Sequence, residues 1–308
     1  MNNTLRISGK NGIKPAAEHK ADFGEISFSA LKNFYLLFLV VIIMYPLIYV
    51  VSSSFSSPEA IMTGKVWLLP VQPTLEGYWA VVNYPNVWVG FANSVFYVVA
   101  GTSISIFLTV SAAYPLSRPD LKGRGLIMFM IVITMMFSGG IIPSYLVIYK
   151  LGLINTRWAL LLPGAITTWN LIITRTYFQV TIPRELLEAS MLDGCSDLKF
   201  LARIVVPLSK PVIAVNFLFY AINQWNSYFS ALLFLNKSEL YPLQLILSMI
   251  FKYNEANGSD LAMNLRYQEQ KELLKYSLIV FSSIPVILLY PFIQKYFVKG
   301  VMIGSIKA

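Results

Sequence analysis

The run NFLFYAINQWNSYF at residues 216–229 places amide and aromatic side chains together inside an otherwise apolar stretch. Amide groups hydrogen-bond to hydroxyl groups, and indole and phenol faces stack on the apolar faces of other rings. Such side chains suit a ligand with many hydroxyl groups, although amides inside a membrane also serve only to join helices. The candidate ligand contacts in this run are Asn223, Gln224, Trp225, Asn226 and Tyr228.

A second group of candidates lies where glycine or asparagine interrupts an apolar stretch. Gly139 and Gly140 fall within FSGGIIPSY, where Pro143 further weakens a helix, and Asn93 and Asn170 stand among apolar residues. These side chains and this break in the helix could line the same polar path. Paired glycines also occur where helices only pack closely, so both interpretations remain open.

Sequence motifs for catalysis are missing from the chain. It contains no G-x-x-x-x-G-K-[ST] phosphate-binding loop, no H-E-x-x-H zinc motif and no G-x-S-x-G nucleophile elbow. Its one histidine, His19, and its one cysteine, Cys195, cannot make a paired metal site or an internal disulfide. The sequence therefore predicts no catalytic residue, no metal ligand and no cofactor in this chain.

The candidates must be held by membrane-spanning helices, because the chain is too apolar for a soluble enzyme. Of its 308 residues, 56% are hydrophobic and 13% charged, and the mean hydropathy is +0.62. A helix needs about 20 apolar residues to cross a bilayer. We therefore expect an all-α polytopic membrane protein with six transmembrane helices. The stretches without Asp, Glu, Lys or Arg that predict them are 33–58, 77–117, 125–149, 158–174, 211–236 and 276–294.

The distribution of lysine and arginine places both termini in the cytoplasm. With the N-terminus inside, sixteen of the 24 basic residues fall in cytoplasmic segments. Five of the other eight lie in the long stretch 236–275, where this rule is weakest. The net charge of +9 thus reports membrane topology rather than nucleic-acid binding. The first apolar run exceeds the usual core of a signal peptide, so we interpret it as a retained span.

The apolar stretches divide the chain into five parts. We predict a cytoplasmic tail at residues 1–30, a first transmembrane helix at 31–51, an external segment at 52–88, a membrane core at 89–294 and a cytoplasmic tail at 295–308. In the external segment, TLEGYWAVV predicts a short helix capped by Thr74, with its aromatic side chains at the membrane interface.

A charged segment at residues 183–208 connects the fourth and fifth spans on the cytoplasmic side. Its charges would each cost about 2.5–3.5 kcal/mol in the bilayer, so it cannot be a span. Pro183 suits the first position of a helix and Gly194 its end, while Ser196 or Asp197 can cap a second helix that Pro207 ends. From composition alone, an amphipathic hairpin on the membrane surface accounts for it equally well.

The spacing of residues in this segment resembles the motif E-A-A-x3-G-x9-I-x-L-P, the coupling loop of membrane subunits in ABC importers. Ser190 replaces the second alanine of the motif and Val206 its leucine, both conservative in size. The resemblance extends from about residue 88 to the C-terminus. The stretches LEASMLDG, PLSKPVIAV and YFVKGVMIGSIKA are similar to the carbohydrate-uptake branch of MalG-like and LplC-like permeases. The matching residues of the motif are Glu188, Ala189, Gly194, Ile204 and Pro207.

This resemblance implies a type-I ABC importer permease fold in a bacterial cytoplasmic membrane, with both termini in the cytoplasm. The coupling loop would enter a groove on an ATP-binding subunit, with Glu188 facing basic or amide groups. Ala189 and Ser190 would fit between the groove walls, and Gly194 would allow a turn that a Cβ obstructs. Further apolar contacts would come from Leu187, Met191 and Leu198.

The partners implied are a second, different permease, two ATP-binding subunits that carry ATP and Mg²⁺, an external solute-binding protein and membrane lipid, with no nucleic acid. The function expected is passage of a carbohydrate, in particular an oligosaccharide, into the cytoplasm, driven by ATP hydrolysis on the partner subunits. Two alternatives remain: a permease for a non-sugar solute, such as an amino acid or phosphonate, and a receptor or scaffold subunit without transport.

Overall fold

The computed structural model describes residues 23–253, 272, 274–291 and 294, and the regular elements in those residues are helices. The chain divides into two compact units, Met1–Tyr49 and Val50–Ala308. The helices are α1 (Phe23–Ser54), α2 (Pro58–Met62), α3 (Glu76–Val82), α4 (Pro85–Ser117), α5 (Arg124–Met136), α6 (Ile141–Lys150), α7 (Trp158–Leu161), α8 (Thr168–Thr181), α9 (Arg184–Leu192), α10 (Asp197–Phe200), a π-helical turn (Leu201–Val205), α11 (Val206–Leu208), α12 (Lys210–Trp225), α13 (Tyr228–Phe234), a 3-10 turn (Ser238–Leu240), α14 (Leu243–Tyr253) and α15 (Leu274–Pro291).

Helix α1 makes up the described part of the first unit and continues to Ser54. It begins at Phe23, whereas the sequence predicts a first span from residue 31. The stretch Ser27–Ser54 is long enough to cross a bilayer and has a mean hydropathy of 2.6 over its most apolar window, none of which is buried. Pro46 lies inside this helix, which is common in transmembrane helices.

Residues 68–78, in the segment that the sequence predicts to be external, are joined to the end of α1 by buried serines. The Ser52 hydroxyl donates to the Leu68 carbonyl at 2.6 Å, and the Ser54 hydroxyl lies 2.8 Å from the Tyr78 hydroxyl. The serine-rich residues 52–57 therefore make polar contacts inside the unit Val50–Ala308.

The short aromatic helix α3, in the segment predicted to be external, begins one residue later than the sequence predicts. Leu75 occupies the N-cap position of α3. The Thr74 hydroxyl accepts a hydrogen bond from the Glu76 N–H at 3.2 Å. Thr74 thus satisfies a free N–H of the first turn, as expected of a cap, from the position before the N-cap.

Helix α4 is central to the unit Val50–Ala308 and packs against α7, α8, α12 and α14. Small residues on the face of a helix allow the backbone of another helix to approach closely. A Cβ at Gly90 would lie 3.1 Å from the Leu243 Cα, and one at Gly101 would lie 2.6 Å from the Gln224 Nε2. These glycines therefore permit the close approach of α14 and α12. The small residues on the buried face of α4 include Gly90, Ser94, Gly101, Ser105 and Thr109.

Several of the expected spans are broken rather than continuous. Among the described residues, three helical stretches are long and apolar enough to cross a membrane alone, and five candidates result if each bent helix pair is one span. The predicted third span consists of α5 and α6, whose axes differ by 116°. The long stretches are Ser27–Ser54, Pro85–Ser117 and Leu274–Pro291.

The predicted fourth span is divided into the short helices α7 and α8. Between them, Gly164 has a φ of +77°, a backbone conformation that ends a helix. Helix α8 has 14 residues, which is too few for a helix that crosses a bilayer alone. Apolar composition over residues 158–174 therefore did not ensure one continuous helix.

Candidate functional site

The charged segment forms short helices on both sides of a glycine turn, as the sequence predicts. Pro183 is the N-cap of α9, one position before the place expected for it, and Gly194 follows the C-cap residue Asp193. The Cys195 N–H donates to the Ser190 carbonyl at 2.9 Å, and the Gly194 N–H donates to the Met191 carbonyl at 3.0 Å. This pair of bonds is the Schellman ending of a helix, and it fixes the direction in which the chain leaves α9.

Gly194 is required at this turn for its backbone conformation. Its φ is +69°, in the left-handed region that residues with a Cβ adopt at a cost. A Cβ at this position would meet no atom within 4 Å. The sequence suggests that a Cβ would obstruct the turn, whereas within the chain the constraint is conformational and not steric.

The second half of the segment is helical from Asp197 to Leu208, with a π-helical turn in its middle. Ser196 is its N-cap, but its side chain makes no capping hydrogen bond. The helix passes through Pro207 and ends at Leu208, whereas the sequence predicts an end at the proline. At Ser209 the chain then turns by 82° into α12.

The inner face of the loop packs on the ends of α4 and α8. Phe200 and Val205 are buried in one apolar cluster with residues of α4 and α8, and Leu187 and Ile204 pack against that cluster. Ser190 is 7% exposed, and its hydroxyl donates to the Leu187 carbonyl at 2.7 Å. Leu187 and Ser190, for which the sequence suggests contacts with a partner, thus contact their own chain.

The outer face of the loop carries the motif residues that remain available to another molecule. Glu188, Ala189, Gly194 and Pro207 are exposed, as is Met191. Leu192 and Leu198 are 90% and 79% exposed, which is unfavourable for leucine in water. Sequence reasoning missed Leu192, although its spacing of four residues from Glu188 places both on one face of α9.

An ion-pair cluster fixes the second half of the loop to the end of α4. The Arg118 guanidinium contacts the Asp120 carboxylate at 2.7 Å and also pairs with Asp197. It donates to the Tyr114 hydroxyl at 3.2 Å. The hydrogen bond from Arg118 lowers the pKa of Asp120, so this carboxylate stays ionised at neutral pH. The cluster was not predicted, because Arg118 and Asp197 are far apart in the sequence.

The polar run of the predicted fifth span is divided between two environments. Gln224 and Trp225 are buried, and the Trp225 indole N–H donates to the Ser282 carbonyl at 3.1 Å. Asn223 and Asn226 are exposed, and Tyr228 is half-buried. Of the five candidate ligand contacts in this run, the two amides Asn223 and Asn226 are thus the exposed ones.

The two isolated asparagines, Asn93 and Asn170, are both directed to the interior of the chain's own structure and not to its surface. The Asn93 amide donates to the Glu239 and Tyr241 carbonyls at 2.7 and 3.1 Å, and Asn170 is buried. Sequence reasoning also missed a buried bond from the Asn216 amide to the Thr174 hydroxyl at 2.6 Å. The Asn93 and Asn216 amides thus join separate elements within the chain, as buried amides in membrane proteins often do.

Gly139 and Gly140 are both exposed and lie at the bend between α5 and α6. Gly140 has φ and ψ of 81° and −177°, a region that only glycine adopts without strain. A Cβ at Gly139 would lie 3.7 Å from the Pro143 Cβ, which is an ordinary contact. The bend therefore depends on Gly140 more than on Gly139.

Gly140→Ala should destabilise the bend by about 1–3 kcal/mol, the usual cost of such a conformation for a residue with a Cβ. Gly139→Ala is the matched control and should have little effect. Thermal unfolding of the two variants in detergent, beside the parent chain, measures the difference. Equal midpoints for both variants would contradict the assignment of the bend to Gly140.

Acidic, histidine and cysteine side chains are the usual protein ligands of a metal ion. In residues 23–253 and the described part of α15, no group of three such side chains could hold a metal ion. The candidate functional residues in the described part of the chain are the exposed face of the segment 183–208, the exposed amides Asn223 and Asn226, and the bend at Gly139 and Gly140.

Comparison with known proteins gives consistent matches over most of the chain. Residues 77–303 match the family model of the binding-protein-dependent transport system inner membrane component. The chain is 42% identical over 274 residues to the polygalacturonan/rhamnogalacturonan transport system permease protein YtcP of Bacillus subtilis, which covers 89% of this chain and 96% of that protein. It is 41% identical over 268 residues to protein LplC of the same organism, covering 86% and 90% of the two chains.

A solved structure is similar over nearly its whole length. It is the crystal structure of a bacterial ABC transporter involved in the import of the acidic polysaccharide alginate. The TM-score is 0.82 at 35% sequence identity, with 90% of this chain and 98% of that chain covered.

Proposed function

Because the chain belongs to the family of binding-protein-dependent transport system inner membrane components, we propose that it is the permease subunit of an ATP-driven carbohydrate importer. With a second, different permease it forms the translocation path for an oligosaccharide that an external solute-binding protein delivers. The observation that carries this proposal is the 42% identity, over nearly the full length, to a polygalacturonan/rhamnogalacturonan transport system permease protein. The likeness to a chain of an alginate importer supports the same class of substrate.

Energy for transport comes from two partner subunits that bind ATP and Mg²⁺, because this chain has no phosphate-binding loop of its own. The loop at residues 183–208 receives that energy by docking on one of them. Its exposed carboxylate and leucines support this role, since they form a surface with both charged and apolar groups. The residues assigned to the loop motif are Glu188, Ala189, Ser190, Gly194, Ile204 and Pro207.

We propose that the residues of this motif have two functions, and the burial of each residue within the unit Val50–Ala308 supports this division. Glu188, Ala189, Gly194 and Pro207 are exposed and would contact the ATP-binding subunit or set the turn. Ser190 and Ile204 pack toward their own chain and would hold the loop in place. The assignment of the exposed residues rests on their position and chemistry.

We further propose six spans, with both termini in the cytoplasm of a bacterial cytoplasmic membrane. The six would be α1, α4, the pair α5–α6, the pair α7–α8, the pair α12–α13, and α15. The excess of lysine and arginine on one side supports this orientation. The substrate would pass along α12–α13 and the α5–α6 bend. The path residues on this subunit would be Asn223, Gln224, Trp225, Asn226, Tyr228, Gly139 and Gly140.

Identification of the ligand on the copurified solute-binding protein tests the proposed function. We expect a second permease, an ATP-binding subunit pair and a binding protein that retains an oligosaccharide. Uptake of that sugar into vesicles containing the complex should require ATP. A bound amino acid or phosphonate would move the chain to another importer class, and a complex without ATP-binding subunits would indicate a scaffold or receptor.

A further inference from the structure

A cavity of about 260 Å³ lies beside the inner face of the loop, between the α4–α5 turn, the end of α8 and the start of α9. Three arginines, Arg118, Arg124 and Arg184, line this cavity together with Ser117 and Gln179. We propose that the cavity binds the phosphate of an anionic lipid headgroup. This is a separate binding site from the docking surface of the loop and from the substrate path.

Among the residues that the structure describes, the arginines at the cavity outnumber the carboxylates that pair with them. Arg118 is paired with two carboxylates, Asp120 and Asp197. Arg124 and Arg184 have no carboxylate within 4.0 Å among the residues that the structure describes. The Asp120 carboxylate attracts Arg184 only from beyond 4.0 Å. A guanidinium binds phosphate oxygens with paired, parallel hydrogen bonds, so two arginines without an ion pair at one cavity favour a phosphate ligand.

A further basic residue increases the positive potential at this place. Arg124 lies close enough to Arg175 for the two like charges to repel each other. Such repulsion is unfavourable in the chain alone, and a bound anion would relieve it. Basic residues on this side would satisfy the charge rule for membrane topology without any ligand. That rule, however, does not require them to converge on a cavity.

The walls of the cavity are held in place before any ligand binds. The Arg175 Nε donates to the Leu116 carbonyl at 3.0 Å, and the Gln179 amide donates to the Ser117 carbonyl at 3.2 Å. These bonds satisfy carbonyl groups at the end of α4 and fix α8 against it. The ligand therefore binds a preformed site and does not need to order a loop.

The surroundings favour a lipid over a free phosphate ion. Leu126, in the first turn of α5 after Arg124, and Val180, next to Gln179 in α8, are each 61% exposed. Exposed apolar side chains beside a basic cavity suit the acyl chains and the headgroup of one lipid molecule, because such pockets between spans can bind lipid headgroups. A free phosphate ion would make no use of the apolar surface.

The test is lipid binding to the chain purified in detergent with the subunits that copurify, after removal of native lipid. Phosphatidylglycerol, phosphatidylcholine and inorganic phosphate are each titrated and followed by native mass spectrometry. We expect phosphatidylglycerol to bind in preference to phosphatidylcholine. The double variant Arg124→Gln/Arg184→Gln should weaken that binding on the order of 25-fold, because each basic residue near anionic lipid contributes about fivefold.

The matched control is Lys122→Gln/Lys199→Gln, which removes two exposed charges nearby that do not line this cavity. An equal loss in the control would mean nonspecific attraction of charge and would overturn the proposal. Equal binding of the two lipids by the parent chain would overturn it without any variant. Displacement of phosphatidylglycerol by inorganic phosphate at similar concentrations would reassign the site to a free phosphate. No substrate or ATP is present, so the result does not depend on the proposed transport function.

Discussion

Gly194→Val should reduce sugar-stimulated ATP hydrolysis and uptake by at least about tenfold while leaving the chain inserted in the membrane. The φ of Gly194 is +69°, and a residue with a Cβ in such a conformation costs about 1–3 kcal/mol. A β-branched side chain is among the least tolerated there. The turn would relax to another conformation, the two halves of the loop would lose their mutual orientation, and the docking surface would no longer match its groove.

Two control variants separate the backbone conformation from the size of the side chain. Gly194→Asn should retain most activity, since asparagine adopts the left-handed conformation more readily than other residues. Gly125→Val adds the same side chain in α5, where φ is not positive and a Cβ would meet no atom within 4 Å. Uptake and ATP hydrolysis are measured on the reconstituted complex, with membrane insertion checked in parallel. Normal transport by Gly194→Val would show that the turn does not carry coupling.

Glu188→Lys is expected to produce the second large effect, weaker association with the ATP-binding subunits. Glu188 is exposed on the outer face of α9, one turn before the exposed Leu192. Removing one partner of an interfacial charge pair typically costs about 2–5 kcal/mol when the pair is desolvated, and reversal adds repulsion. The loss should be greater at low salt, because the Debye length falls from about 30 Å at 0.01 M to about 8 Å at 0.15 M.

Binding of the purified ATP-binding subunits to membranes containing the variant measures this effect. Asp193→Lys is the matched control, because it makes the same charge change at the C-cap of α9, where a cation is favourable. If the segment were only an amphipathic hairpin on the membrane, Glu188→Lys would be neutral or would strengthen contact with anionic lipid. Unchanged association at both salt concentrations would therefore support the hairpin and contradict docking.

The sequence by itself determined that the chain is helical and resides in a membrane. A bilayer sets a minimum length of apolar residues for a helix, and this requirement can be assessed within one stretch of sequence. The long helices α4 and α15 coincide with two of the charge-free stretches. The glycine turn of the loop was also predicted, since a left-handed ending of a helix is a local property that favours glycine.

The sequence also marked residues 183–208 as a distinct segment, through charges that a span does not tolerate and a spacing that resembles the coupling-loop motif. It did not assign the faces of the loop. Leu187 and Ser190 turned out to pack inward and Leu192 outward, because the position of α9 depends on the cluster around Phe200 and Val205. Helical spacing shows which residues share a face, but the choice of the buried face depends on the neighbouring helices.

Only the tertiary structure decided which polar groups are free and where the helices break. The Asn93 amide donates its hydrogen bonds to carbonyl groups near residue 240. Arg118 pairs with Asp197, which lies 79 residues further along the chain. Neither partner is marked in the local sequence, because a hydrogen bond or an ion pair depends on distance in space. Composition likewise did not predict the 116° bend at Gly140 or the break in the helix at Gly164. Apolar composition favours the membrane throughout these stretches. The direction of each helix depends instead on the backbone conformation of single glycines and on the packing of the helices that follow.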